Sequence, residues 1–213
     1  MPDFNIILPS KPVVITETDI SGVYEIEGLY PGYGHTLGNS LRRIILSSLP
    51  GYAITSVKID GVNHEFSTID GVKEDVITML LNLKKVRFQI VGDEPQTVNL
   101  IVKEAKEVLA KDIKTTGGVE VANKDLYICT VTGKTNLNIE ITLEKGLGYV
   151  SKELLSKDKV DIGTIVMDAI FTPVRRVSYE VEHMRVGNRT DFNKLRIFIE
   201  TDGIISPREA LEK

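Results

Sequence analysis

Apolar and polar residues alternate at Tyr24-Glu25-Ile26-Glu27, at Leu137-Asn138-Ile139-Glu140-Ile141-Thr142-Leu143 and at Leu195-Arg196-Ile197-Phe198-Ile199-Glu200. A period of two puts every second side chain on one face. Each stretch therefore predicts a strand with one dry side, as in a half-covered antiparallel sheet. Shorter apolar runs at Ser56 to Ile59, Val86 to Val91, Val98 to Val102, Leu126 to Val131, Thr164 to Phe171 and Val177 to Val181 are weaker strand candidates. Helical spacing is rarer and marks Thr36 to Leu49, Gly71 to Leu83 and a segment beginning at Ser206. There, Ser206-Pro207-Arg208-Glu209 sets a capping serine, a first-turn proline and a glutamate in the order of a capping box. Only four residues follow. A helix of about 12 residues or fewer is marginal without packing, so the chain is expected to stop inside a longer element, with a tail or second domain beyond. Gly92 to Lys124 holds Gly-Asp-Glu-Pro, a lysine- and glutamate-rich stretch and Thr115-Thr116-Gly117-Gly118, and reads as loops and short strands of an inserted unit. No internal repeat is present. The class is α+β, mostly antiparallel sheets with few helices.

The helix at Thr36 has an informative wheel. With Leu37 at zero and about 100° per residue, Leu41, Ile44 and Ile45 fall on its side, with Leu49 at the edge. Arg42, Arg43 and Ser47 occupy the far side and are expected to face water. Leu46 breaks the pattern, because it sits about 180° from Leu37, between the two arginines. A leucine flanked by arginines on a wet face fits the core of a protein contact. It also fits a singly exposed leucine, which is common.

Composition narrows the partners. The 213 residues, 42% hydrophobic and 26% charged, suffice for one large domain or two small ones. A net charge of −4 argues against a surface devoted to nucleic-acid phosphates. Cys129 is the only cysteine, so neither an intrachain disulfide nor a cysteine-based metal cluster is expected, and a reducing cytoplasm fits. From Met1 to Ser10 there is no basic stretch followed by a long apolar one, and no run approaches the length of a membrane span.

The run from Gly32 through Gly51, GYGHTLGNSLRRIILSSLPG, resembles the signature first helix of bacterial and plastid RNA polymerase α subunits. The resemblance continues through Val57 to Thr68, Gly71 to Val76 and Leu81 to Lys84. It resumes at Ile162-Gly163-Thr164, Asp168 to Val174, Arg185 to Asp191 and Lys194-Leu195. It implies a discontinuous dimerisation subdomain, 1–50 and 173–213, around an insert subdomain, 51–172, with boundaries near Pro50-Gly51 and Thr172-Pro173 that are turn-like in their own right. It implies a homodimer, formed through the first helix (Leu37, Leu41, Ile44 and Ile45) and the carboxy-terminal helix that starts at Ser206. It further implies contact with the β subunit through Arg43 and Leu46, and with the β′ subunit through Lys84 and Met167. Lysine after a helix is otherwise a favourable C-terminal charge, and methionine in a strand is otherwise core. The family's role is a non-catalytic scaffold for a nucleotidyltransferase, DNA-directed RNA polymerase, so the isolated chain is expected to have no activity, no cofactor and no metal. The family's DNA-touching carboxy-terminal domain and its linker are not in this sequence, and no DNA contact is expected. A bacterial-style insert without a cysteine cluster points away from an archaeal-type counterpart.

Other signals compete. Gly32-Tyr33-Gly34-His35-Thr36-Leu37-Gly38 follows a strand and opens a helix, as a dinucleotide fingerprint does, but its third glycine comes one residue late. The rival reading is a stand-alone α+β enzyme holding a phosphate ligand there. The preferred one is a loop whose glycines free the backbone, with Thr36 as the helix cap. His35, His64 and His183 have no metal-binding spacing. Asp60, Glu65 and Asp75 are expected to cap turns and solvate a face, and Ser47 and Ser48 have no evident base.

Overall fold

The computed structural model describes residues 8–115, 117–133, 135–156 and 163–213. Residues 1–7 of the amino-terminal stretch, Thr116 and Ile162 lie outside the described residues. The first elements among the described residues are β1 (Val13–Glu17), β2 (Ser21–Leu29), α1 (Tyr33–Ser47), β3 (Pro50–Ile59) and α2 (Val76–Leu83). Short strands follow: β4 (Phe88–Ile90), β5 (Gln96–Val102), β6 (Lys106–Leu109), β7 (Ile113–Lys114), β8 (Val119–Val121) and β9 (Tyr127–Val131). Next come β10 (Leu137–Leu147), β11 (Tyr149–Val150), α3 (Lys152–Leu155), β12 (Thr164–Val166) and β13 (Ala169–Ile170). The long hairpin β14 (Val174–Val186) and β15 (Arg189–Thr201) and the short α4 (Pro207–Glu212) close it. The α+β class holds, and among the described residues every strand pairing is antiparallel.

The chain divides into two compact units, Met1–Leu49 with Thr172–Lys213, and Pro50–Phe171. The first is a four-stranded sheet in the order β1-β2-β15-β14. Register explains its two faces. Ile197 pairs with Tyr24 and Leu195 with Ile26, and all four are buried. Their neighbours Arg196 and Glu25 pair on the opposite face, where Arg196 Nε donates to Glu25 Oε2 at 2.7 Å. Ile45 of α1, Leu49 just after it and Ala210 of α4 join the dry face to make one core. At α4 the capping box forms as the sequence indicates: the Glu209 N–H donates to Ser206 Oγ, and the Ser206 N–H to the Glu209 carboxylate.

The second unit centres on β10 in a five-stranded sheet ordered β12-β3-β10-β5-β7. Ile139 lies between Ile59 and Leu100, and Ile141 between Val57 and Val98, all on one buried face. Fully burying each such side chain contributes about 1.5–3 kcal/mol, so this seam adds substantially to the unit's stability. Helix α2 adds Val76, Met79, Leu80 and Leu83, whose spacing makes one apolar stripe in the same core.

Two helix starts differ from the sequence reading. The second helix begins at Val76, not Gly71, because Asp75 caps it, its Oδ1 accepting the Thr78 N–H at 3.0 Å. Upstream, Gly71 is left-handed (φ 82°), and Lys73 donates its N–H to Thr130 O, so the stretch borrows partners from β9. Helix α1 begins at Tyr33, not Thr36, after a left-handed Gly32 (φ 84°).

Candidate partner-docking surfaces

The glycines of the signature do more than open a loop. Gly34 and Gly38 lie inside α1 and are buried against β14 and β15. A Cβ on Gly34 would lie 2.6 Å from Val181 Cγ1, and one on Gly38 would lie 2.6 Å from Tyr179 Cδ2. The helix approaches the sheet along its bare backbone, so Gly34 and Gly38 serve close packing, and nothing here supports the rival enzyme reading.

The buried stripe of α1 is therefore Gly34, Gly38 and Ile45, with Leu49 just beyond the helix end. A wheel weighted by hydropathy centres on Leu37 because it cannot see glycine. Two expectations change. Ile45, placed with the interface residues, is 3% exposed and belongs to the unit's own core. Leu46, placed on the wet face, is half-buried against that core. The outward face holds Thr36, Asn39, Ser40, Arg43 and Ser47. Ile44, 53% exposed, flanks it, with Leu37 and Leu41 half-buried beside it.

The two arginines part ways. Arg42 Nε donates to Val177 O at 3.3 Å, tying the helix to β14. Arg43 is exposed, and among the described residues its guanidinium has no ion pair or hydrogen bond. It offers a planar fork of donors with nothing internal to give up.

In the second unit, Lys84 and Met167 line one groove of about 280 Å³. Its walls are Ile77, Leu80 and Leu81 of α2, Ile165 and Val166 of β12, and Phe66. Phe66 is 77% exposed and Leu81 55%, so the apolar lip is open to solvent. Met167 is mostly buried in the unit's core and offers the groove only an edge. Lys84 does not project freely: its Nζ donates to Asp168 Oδ2 at 3.2 Å. Asp168 also accepts the Lys152 N–H at 3.0 Å, and Lys152 Nζ donates to Glu65 at 2.6 Å. The groove thus has an apolar floor and a rim of paired charges, a chemistry suited to protein contact.

These pairs make the rim sensitive to acid. The Lys152 backbone N–H and the Lys84 ammonium hold the Asp168 carboxyl below its ordinary range, and the Lys152 ammonium does the same for Glu65. A carboxyl depressed in the folded state stabilises above its unfolded pKa, about 4, and loses that contribution as pH falls through the folded value. Asp168→Asn is therefore expected to lower the melting temperature at pH 7, with the gap to wild type closing as pH falls below the ordinary carboxylate range. A gap that stays constant across this range would contradict the role given to the rim.

The remaining acids cap and pair. Asp60 accepts from Asn138 Nδ2 at 2.8 Å, and Glu74 holds the Thr130 N–H at 2.7 Å and the Tyr127 hydroxyl. Among the described residues no three His, Cys, Asp or Glu side chains gather as a metal site. Among them, too, no helix is long and apolar enough to cross a membrane.

Comparison with known proteins agrees with this architecture. Residues 57–172 match the family model described as the RNA polymerase Rpb3/RpoA insert domain. The chain is 48% identical over 211 residues to the DNA-directed RNA polymerase subunit alpha of Flavobacterium psychrophilum, covering 98% of this chain and 64% of that protein. It is 52% identical over 197 residues to the subunit alpha of Alkaliphilus metalliredigens, covering 92% of this chain and 62% of that one. The counterpart from Symbiobacterium thermophilum is 50% identical over 200 residues, with 94% and 64% covered. The chain thus spans a little under two thirds of the length of these relatives. With a family match over more than half its length and about half its residues shared with these proteins, the chain belongs to the bacterial RNA polymerase α subunit family, whose Rpb3/RpoA insert domain it carries.

Proposed function

We propose that the chain is the amino-terminal part of an RNA polymerase α subunit, a non-catalytic scaffold that dimerises and gathers the β and β′ subunits for transcription in the cytoplasm. The observation that carries this reading is the outward face of α1. A helix seated flush on its sheet through two glycines presents an unpaired arginine beside an exposed isoleucine. Interface centres are enriched in arginine and in large apolar groups that exclude water.

In this reading 1–50 with 173–213 is the dimerisation subdomain and 51–172 the insert. Ile44, with the exposed edges of Leu37 and Leu41, meets a second copy. Arg43 and the flank of Leu46 anchor β. Lys84, Met167 and the lip of their groove receive β′. Two copies of one chain then meet two different large subunits, β on the α1 face and β′ at the groove of the insert. Light scattering is expected to give the mass of two chains for the wild type and of one for Ile44→Glu. That substitution places a charge on an exposed site, so the monomer keeps its fold. A wild type that stays monomeric at high micromolar concentration would remove the dimer from the reading.

A further inference from the structure

The segment Arg189 to Asn193 has no part in either docking surface, yet it meets the start of α1. The first backbone N–H groups of a helix lack intrahelical acceptors and are commonly served by a side chain at the preceding residue. That residue here is Gly32, which has no side chain to serve them. The acceptor comes instead from β15. Asn193 Oδ1 takes the Gly32 N–H at 2.8 Å and the Gly34 N–H at 3.3 Å. Two donors settle which amide atom faces the helix, since the amide nitrogen cannot accept. Asn193 is 3% exposed, and a Cβ on Gly34 would lie 3.0 Å from the Asn193 Cβ, so helix and side chain fit closely.

The same strand clamps the residues just before the helix. The Arg189 guanidinium carbon lies 5.2 Å from the ring centroids of both Tyr30 and Phe192. Asp191 fixes that guanidinium through two bonds, at 3.0 and 2.7 Å. Tyr30 in turn accepts the Tyr33 N–H on its carbonyl at 2.9 Å.

We propose that Asn193 is a positioning residue: it caps α1 from across the sheet and, with the Arg189 clamp on Tyr30, sets where the helix presents Arg43 and Ile44. The consequence for assembly rests on α1 being the docking helix; the cap itself does not. Amide hydrogen exchange tests the two separately. In the wild type the Gly32 and Gly34 amides are expected to be protected by about 100-fold, although neither has an intrahelical acceptor. Asn193→Ala is expected to speed their exchange about ten-fold, the scale of a lost cap, while the Ile197 and Ile199 amides of β15 keep their wild-type rates. Asn193→Asp keeps the acceptor and is expected to restore protection. Unprotected Gly32 and Gly34 amides in the wild type, an Asn193→Ala variant with unchanged rates, or one accelerated equally throughout the sheet would each overturn the proposal. Capture of the cognate β subunit is expected to weaken in Asn193→Ala and recover in Asn193→Asp. Faster local exchange with undiminished capture would confirm the cap and count against α1 as the docking helix.

Discussion

Gly38→Val is expected to lower the stability of the first unit by about 3 kcal/mol through overpacking. A Cβ at this position meets Tyr179 Cδ2 at 2.6 Å and both Tyr179 Cγ and Leu195 Cδ1 at 2.9 Å. Leu195 is buried under the helix, so it has little room to give. Valine's two further carbons deepen the clash, and relief requires α1 to lift from the sheet. Valine's better helix propensity returns only a fraction of a kcal/mol. Thermal unfolding followed by near-ultraviolet circular dichroism is expected to show a midpoint roughly 10 °C lower. A variant that melts with the wild type would mean that α1 does not depend on this close approach, and the explanation of the signature glycines would fall with it.

Arg43→Ala is expected to have the opposite profile, leaving the fold intact and weakening binding to the β subunit by roughly 30-fold or more, as loss of a central anchor does. The guanidinium has no partner among the described residues, so truncation breaks nothing inside the chain. Surface changes of this kind alter stability by about 0.5 kcal/mol or less. Arg43→Lys is expected to recover only part of the affinity, because an ammonium keeps the charge without the planar fork. Biolayer interferometry with immobilised β, on variants matched for melting temperature, measures both. Equal affinities for wild type and Arg43→Ala would move the anchor elsewhere on the helix.

Much of the fold is legible in the sequence, for a local reason. Strands such as β10 and β15 declare themselves because a half-buried strand has to alternate, and α4 does because its capping box is written within four residues. The exposed β1 is not legible in this way. All five of its residues face solvent, so its apolar side chains show no contrast between faces. The seat of α1 is hidden for a different reason. Its contact stripe is built partly from glycine, which a hydropathy wheel counts as nothing, so the wheel centres on Leu37 and sets Leu46 in water, while the resemblance places the buried Ile45 in the interface. For the second helix, Val72 stands at helical spacing from Val76, but it bridges to Val131 and Lys73 donates its N–H to Thr130 O, so the stretch pairs with β9, a partner the sequence does not announce.

The docking residues divide along the same line. The helical wheel sets Arg42 and Arg43 together on the wet face, the resemblance picks Arg43, and the structure leaves Arg43 exposed, with no ion pair or hydrogen bond to its guanidinium among the described residues. Lys84 and Met167 were reached through family resemblance. That they line one groove, with Lys84 held by an aspartate 84 positions away, follows only from the folded chain. Asn193 gave no signal of its own. It reads as one more polar residue in an alternating strand, and the two amides it serves are 161 and 159 positions distant.

A dimeric scaffold for a large polymerase subunit is recognised by the mass of the complex it forms. When the wild-type chain is mixed with its purified cognate β subunit, native mass spectrometry is expected to show two copies of the chain on one β. A folded, dimeric chain that leaves β free at concentrations well above micromolar would contradict it.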